Sequence, residues 1–130
     1  MIGSMTNPCC SVPRCGEIWM CNLNQRDGSV QNGYRPVLVL SNDKNNVFSP
    51  TLNVIPLTSK VDKRNLPVHV SLWNYQCYGL RKPSTLLVEQ ITTVPANSLD
   101  YRLGEINDRE TLARIGRAME IQFPVVALQK

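Results

Sequence analysis

Short β-branched apolar runs alternate with polar, turn-prone stretches along most of this chain, and only the region after residue 106 spaces its apolar residues as a helix does. That alternation narrows the fold more than any other feature. "PVLVLS", "TLNVIPLTS" and "STLLVEQITTV" are rich in Val, Ile, Leu and Thr and bounded by Asn, Asp, Gly, Ser and Pro, the residues that punctuate strands. The expected strands are 16–23, 36–41, 51–59, 66–72, 84–94 and 101–106. The first has largely apolar residues on both faces. Pro36 fits a first strand position, where a missing N–H is tolerated, and Pro56 predicts a bulge or an edge.

Residues 24–35, rich in Gly, Asn, Asp and Ser, form a connection long for a hairpin, and long loops in compact domains tend to carry function. Residues 42–50 read as a polar excursion with one helical turn. The helix begins at "NDRETLARIGRAMEIQF". Asn107 is the expected cap, with Glu110 three residues on as in a capping box. Leu112, Ile115 and Met119, with Ile121 or Phe123, form the expected core stripe. Gly116 weakens this helix by about 1 kcal/mol relative to alanine, and Pro124 ends it. Short strands with one terminal helix make a β-rich α+β domain, for which a Greek-key or SH3-like small barrel fits.

The 130 residues suit one domain and one core, expected over 16–130 behind a flexible N-terminal tail at 1–15. Met5 is a candidate start. The formal charge of +4 permits a polyanionic partner without demanding one. No apolar run approaches the ~18 residues of a membrane span, so no membrane partner is expected. The N-terminus lacks the basic and apolar regions of a signal peptide, which points to the cytoplasm. The five cysteines, at 9, 10, 15, 21 and 77, match no common zinc spacing and read as reduced thiols.

No G-x-S-x-G elbow, P-loop or H-E-x-x-H helix occurs, and His69 is the lone histidine. It alternates with Val68 and Val70 and reads as a strand histidine rather than a catalytic one. What remains is a set of polar groups at strand ends: Gln31 and Arg35 before the second strand, Thr58 and Ser59 after the third, Glu89 and Gln90 late in the fifth. Each has a plain reading as well. Arg35 serves as a gatekeeper against aggregation or as a charge at the lip of a site.

Six segments, in order, resemble the MazF/PemK-type toxins, endoribonucleases of bacterial toxin–antitoxin pairs: "GEIWMCNL", "GSVQNGYRPVLVLSND", "VIPLTS", "LPVHVSL", "LRKPSTLLVEQITTV" and "RLGEINDRETLARIGRAMEIQF". The resemblance covers residues 16 to about 123. It implies a small SH3-like β-barrel that forms a homodimer and cuts single-stranded RNA without metal or cofactor. The 2′-hydroxyl attacks the adjacent phosphorus, leaving a 2′,3′-cyclic phosphate and a 5′-hydroxyl. Arg35 and Thr58 match the family's catalytic arginine and threonine. Arg35 would clamp the phosphoryl oxygens, and Thr58 would donate to phosphate or orient Arg35. Gln31 matches a loop glutamine near the substrate path, and Ser59 is adjacent.

The family's loop usually reads G-S-E-Q, but Val30 stands here in place of the acid, with Glu89 or Glu17 as possible substitutes. Candidates for base stacking are Tyr34, Trp73, Tyr75 and Tyr78. Candidates for the RNA backbone are Lys60, Lys63, Arg64, Arg81 and Lys82. The implied partner is an antitoxin, a small DNA-binding protein whose acidic C-terminal tail fills the RNA groove. Two rivals share the fold. A gyrase poison of this family carries a Trp-Gly-Ile tail, unlike "VVALQK" here, and an RNA-binding barrel without catalysis is suggested by Val30.

Overall fold

A computed structural model describes residues 12–24, 28, 30–60 and 65–129. Most of the expected tail lies outside them, as do Lys63 and Arg64. The last residues read as tail are held: the Cys15 N–H donates to Asp43 Oδ1 at 2.7 Å, and the Arg14 N–H to Glu17 Oε1 at 2.8 Å.

Seven strands form one antiparallel sheet: β1 (Glu17–Asn22), β2 (Tyr34–Val39), β3 (Thr51–Thr58), β4 (His69–Leu72), β5 (Ser84–Leu87), β6 (Thr92–Pro95) and β7 (Leu99–Glu105). The order is β4-β5-β3-β2-β1-β7, with β6 also on β3. The β-rich α+β fold is the one expected, but the barrel is open: β4 and β7 end the path without pairing. Two helices complete it, α1 (Asp43–Phe48) and α2 (Arg109–Gln122).

The alternation in β1 to β3 builds two cores, one on each face. Ile18, Leu38, Ile55 and Leu57 join Val70, Leu86 and α2 on one side. Trp19, Cys21, Val37, Val39, Leu52 and Val54 join Val94 and Leu99 on the other. This is why β1 reads as apolar on both faces.

The run 84–94, expected as one strand, is two. A 3₁₀ turn at Val88–Gln90 separates β5 from β6, and both halves pair with β3. Pro56 explains how. Asn53 directs its N–H and C=O toward the β2 side, to Ser41 Oγ and the Leu40 N–H. By alternation, Pro56 directs its missing donor the other way. There the β6 ladder has ended at Val54 and the β5 ladder begins at Leu57. The proline therefore falls where no ladder partner waits.

The helix cap is Asp108, not Asn107: its carboxylate accepts the Thr111 N–H at 3.0 Å and the Tyr78 hydroxyl at 2.7 Å. The buried stripe runs through Thr111, Ile115 and Ala118, with Met119 partly buried. Leu112 and Ile121 are exposed. Two expected core positions thus face solvent, because the face that packs inward is the one carrying Thr111, whose hydroxyl meets the buried Tyr78, and not the one carrying Leu112.

At the other edge of the sheet, Glu17 is buried and fully engaged. Its Oε1 also accepts the Trp19 Nε1–H at 3.0 Å, and its Oε2 accepts the Arg102 Nε–H at 2.8 Å. Burial pushes its carboxyl up, but the hydrogen bonds from Trp19, Arg14 and Arg102 outweigh it and hold the pKa below the usual value.

Candidate functional site

A cleft of about 630 Å³ opens where β2 and β3 meet the segment before β5. Arg35 and Tyr34 enter it from the start of β2, and Thr58 and Ser59 from the end of β3. Arg81 and Lys82 enter from the connection to β5, Ser84 from the first position of β5 itself, and Tyr101 and Leu103 from β7. That connection and β7 meet through glycines. Gly79 has φ +78°, and a Cβ there would run into the Leu103 carbonyl. A Cβ on Gly104 would likewise strike the Tyr78 carbonyl. This close crossing sets the cationic segment against β7.

Arg35 and Thr58 come together as expected. The β2–β3 ladder pairs Val37 with Pro56, and the same count carried two residues further sets Arg35 level with Thr58. The Arg35 Nε–H donates to the Asn32 carbonyl at 2.7 Å, and Nη1–H to the Leu57 carbonyl at 3.4 Å. Two of its five N–H groups are thus used, both on neutral acceptors, and no carboxylate pairs with it among the described residues. Burial pushes the guanidinium down from its usual pKa, yet it stays a cation at any working pH. Thr58 is buried, and its Oγ1 accepts the Lys60 N–H at 3.2 Å, which leaves its hydroxyl proton to donate.

Other expected site residues stand outside the lining and act on the loop or the core. Gln90 Oε1 accepts the Gln31 N–H at 2.7 Å, so both hold the segment before Arg35. The Glu89 Oε2 meets His69 Nε2 at 2.9 Å, and its Oε1 is buried without a hydrogen bond. Glu89 and Glu17 are thus committed elsewhere and supply no base to the cleft. Val30 is exposed and does not line it. Lys60 contributes its backbone to Thr58 and extends an exposed side chain.

Among the aromatic candidates, Tyr78 is core: it is 5% exposed and its hydroxyl meets Asp108 and Thr111. Tyr75 packs partly buried against the core, and Trp73 is exposed away from the lining. Tyr34 is half exposed, and its hydroxyl donates to Asp100 Oδ2 at 2.5 Å. That bond, with lesser effects of burial and of Tyr101, pushes its phenol up to about 12. Sequence reasoning missed Asp100, Tyr101, Ser84 and Met20. For Tyr101 the available signal was an aromatic residue at the head of the run 101–106, read as the last strand.

The model of the PemK-like, MazF-like toxins of type II toxin–antitoxin systems matches residues 14–123. The chain belongs to this family. Endoribonuclease EndoA of Bacillus subtilis (strain 168) is 34% identical over 111 residues, which cover 85% of this chain and 94% of that protein. The crystal structure of MazF (Form-I) from Deinococcus radiodurans superposes with a TM-score of 0.69 at 25% identity, covering 85% of this chain and 96% of that one. A MazE–MazF crystal structure (Form-II) from the same organism superposes with a TM-score of 0.65 at 21% identity, over 90% and 97% of the two chains. The open sheet with its C-terminal helix is therefore the toxin fold, and the cleft lies between segments that the family match spans.

Proposed function

We propose that this chain is the toxin of a type II pair and a sequence-specific endoribonuclease that cleaves single-stranded mRNA, halting translation and growth. The observation that carries the reading is Arg35: a cation held in place by two carbonyls, unpaired by any acid among the described residues, at the lip of a cleft rimmed by Arg81 and Lys82. Such a group recognises phosphate.

In this reading the scissile phosphate lies on the three spare N–H groups of Arg35. The 2′-hydroxyl of the preceding ribose attacks phosphorus in line. The extra negative charge of the pentavalent transition state is met by the guanidinium and by the Thr58 hydroxyl. As the bond from O2′ to phosphorus forms, the 2′-hydroxyl gives up its proton to water; the P–O5′ bond breaks and the leaving oxygen takes a proton from water, so the products are a 2′,3′-cyclic phosphate and a 5′-hydroxyl. The nucleophile belongs to the substrate and the charge is met by protein, so the step requires no metal.

The same cationic cleft suits an antitoxin with an acidic tail, which the family and the MazE–MazF assembly of a relative support. A homodimer, a cytoplasmic setting and DNA binding through the antitoxin belong to the same reading. Purified protein should cut single-stranded RNA in EDTA and leave cyclic phosphate ends, and Arg35→Ala should stop it with folding intact. Binding of RNA without cleavage of any of a diverse set would favour the second reading, an RNA-binding fold lacking catalysis, for which Val30 in place of the family's acid is the motive.

A further inference from the structure

One cluster at the cleft has no part in the phosphate chemistry. Tyr34 and Tyr101 are each half exposed, at 53% and 50%, and both line the cleft beside Arg35. Two exposed aromatic rings gathered at one cleft mouth form the kind of apolar patch that marks a binding site. Tyr34 is also pinned: its hydroxyl is held by Asp100 Oδ2, so its ring is ordered before any ligand arrives.

Asp100 is the odd member. It is an exposed carboxylate outside the lining itself, tied to the cleft through the Tyr34 hydroxyl, whereas the charged residues of the lining, Arg35, Arg81 and Lys82, are cations. It repels phosphate. Its Oδ2 takes the Tyr34 hydroxyl, and its Oδ1 has no hydrogen-bond or ion-pair partner among the described residues. A free carboxylate oxygen accepts only, so it selects a donor. A nucleobase meets all of these demands: it has an apolar face for the rings, no charge for Asp100 to repel, and, in adenine, cytosine and guanine, an exocyclic amino group to donate, whereas the one donor of uracil, N3–H, lies between two carbonyl oxygens that a carboxylate repels.

We propose that Tyr34, Tyr101 and Asp100 form a subsite for one unpaired nucleobase next to the scissile phosphate, stacking it on the tyrosines and reading its amino group through the free oxygen of Asp100. This deepens the endoribonuclease reading and rests on it: Arg35 holds the phosphate, and the tyrosine end sets which base may lie beside it.

The test is to sequence the ends of a random RNA pool cut by the protein and by Tyr101→Ala, Tyr34→Phe and Asp100→Asn, each verified as folded by its thermal transition. The wild type should disfavour uracil at one position adjoining the cut. Asp100→Asn, which gains a donor, should admit uracil there and leave other positions unchanged. Tyr101→Ala should lower kcat/KM about tenfold or more on the preferred sequence, the usual size of a lost base–aromatic stack. Tyr34→Phe keeps the ring and loses the tether, and should fall between.

Unchanged base preferences in all three variants would overturn the proposal. So would a preference that persists while cleavage of every sequence falls alike, or variants that lose only antitoxin binding, which would assign the pocket to a peptide. If the wild type cuts no RNA, the enzymatic reading fails first. Binding of 2′-O-methyl oligonucleotides differing at single bases then decides the subsite alone: Asp100→Asn must shift the base preference, or the proposal falls.

Discussion

Gln90 holds Gln31 across the fold: the side-chain oxygen accepts the backbone N–H at 2.7 Å, tying the 3₁₀ turn between β5 and β6 to the segment before Arg35. One residue on, the Asn32 carbonyl accepts the Arg35 Nε–H. The aim of the guanidinium therefore depends on a glutamine remote in sequence. Gln90→Leu removes the acceptor and should free the segment, at about 1 kcal/mol for a neutral hydrogen bond, or roughly fivefold in kcat. Gln90→Glu keeps an acceptor and should retain most activity. Equal kinetics for both would show that the tether does not matter.

Arg35→Ala should reduce cleavage by about 10²-fold or more, the usual size of a lost transition-state donor, with little change in Tm. Arg35→Lys should recover little, because an ammonium cannot hold the Asn32 and Leu57 carbonyls and a phosphate with one planar fork. Single-turnover cleavage of a labelled RNA measures both.

Thr58→Val keeps the volume and loses the hydroxyl. The Lys60 N–H loses its acceptor, so stability should fall by roughly 1 kcal/mol, while cleavage falls much further. Thr58→Ser should restore both. Urea melts beside kinetics separate the two effects.

Glu17 makes acid stability testable. Its folded pKa lies below the ordinary glutamate value of about 4.3, so its stabilisation is complete above that value and is lost as pH falls through the lower folded pKa. The Tm gap between the wild type and Glu17→Gln should be open at neutral pH and narrow in that acid window. A gap that stays constant down to strong acid would contradict it.

Gly79→Ala should cost roughly 2–4 kcal/mol, from a left-handed backbone and a collision with the Leu103 carbonyl. Gly116→Ala, with open space at its Cβ in α2, should stabilise by up to about 1 kcal/mol. Thermal melts of the two variants should move in opposite directions.

The strands were legible because alternation is local: Val37 and Val39 face one core and Leu38 the other, as their spacing requires. The break at Val88–Gln90 was not, since "LLVEQITT" is uniformly strand-like and only the double pairing with β3 bends it. The cap also escaped, because Asn107 and Asp108 are both good caps and the Tyr78 hydroxyl decides between them. At the site, motif positions placed Arg35 and Thr58. Glu89 and Gln90 also stand in a family segment, yet their contacts are His69 and the Gln31 backbone, which no spacing announces. Asp100 and Tyr101 belong to no motif at all: the pairing of β7 with β1 brings Tyr101 to the cleft, and Asp100 joins it only by holding the Tyr34 hydroxyl.

Trp19 is 6% exposed with its indole N–H on Glu17, whereas Trp73 is 72% exposed beyond β4. The chain thus carries two optical reporters with separate loyalties. Emission from the first follows the integrity of the β1–β7 edge, and quenching of the second follows whatever touches the outer surface. Each tryptophan replaced in turn by phenylalanine would let one cuvette distinguish a toxin that has come apart from one that has been captured.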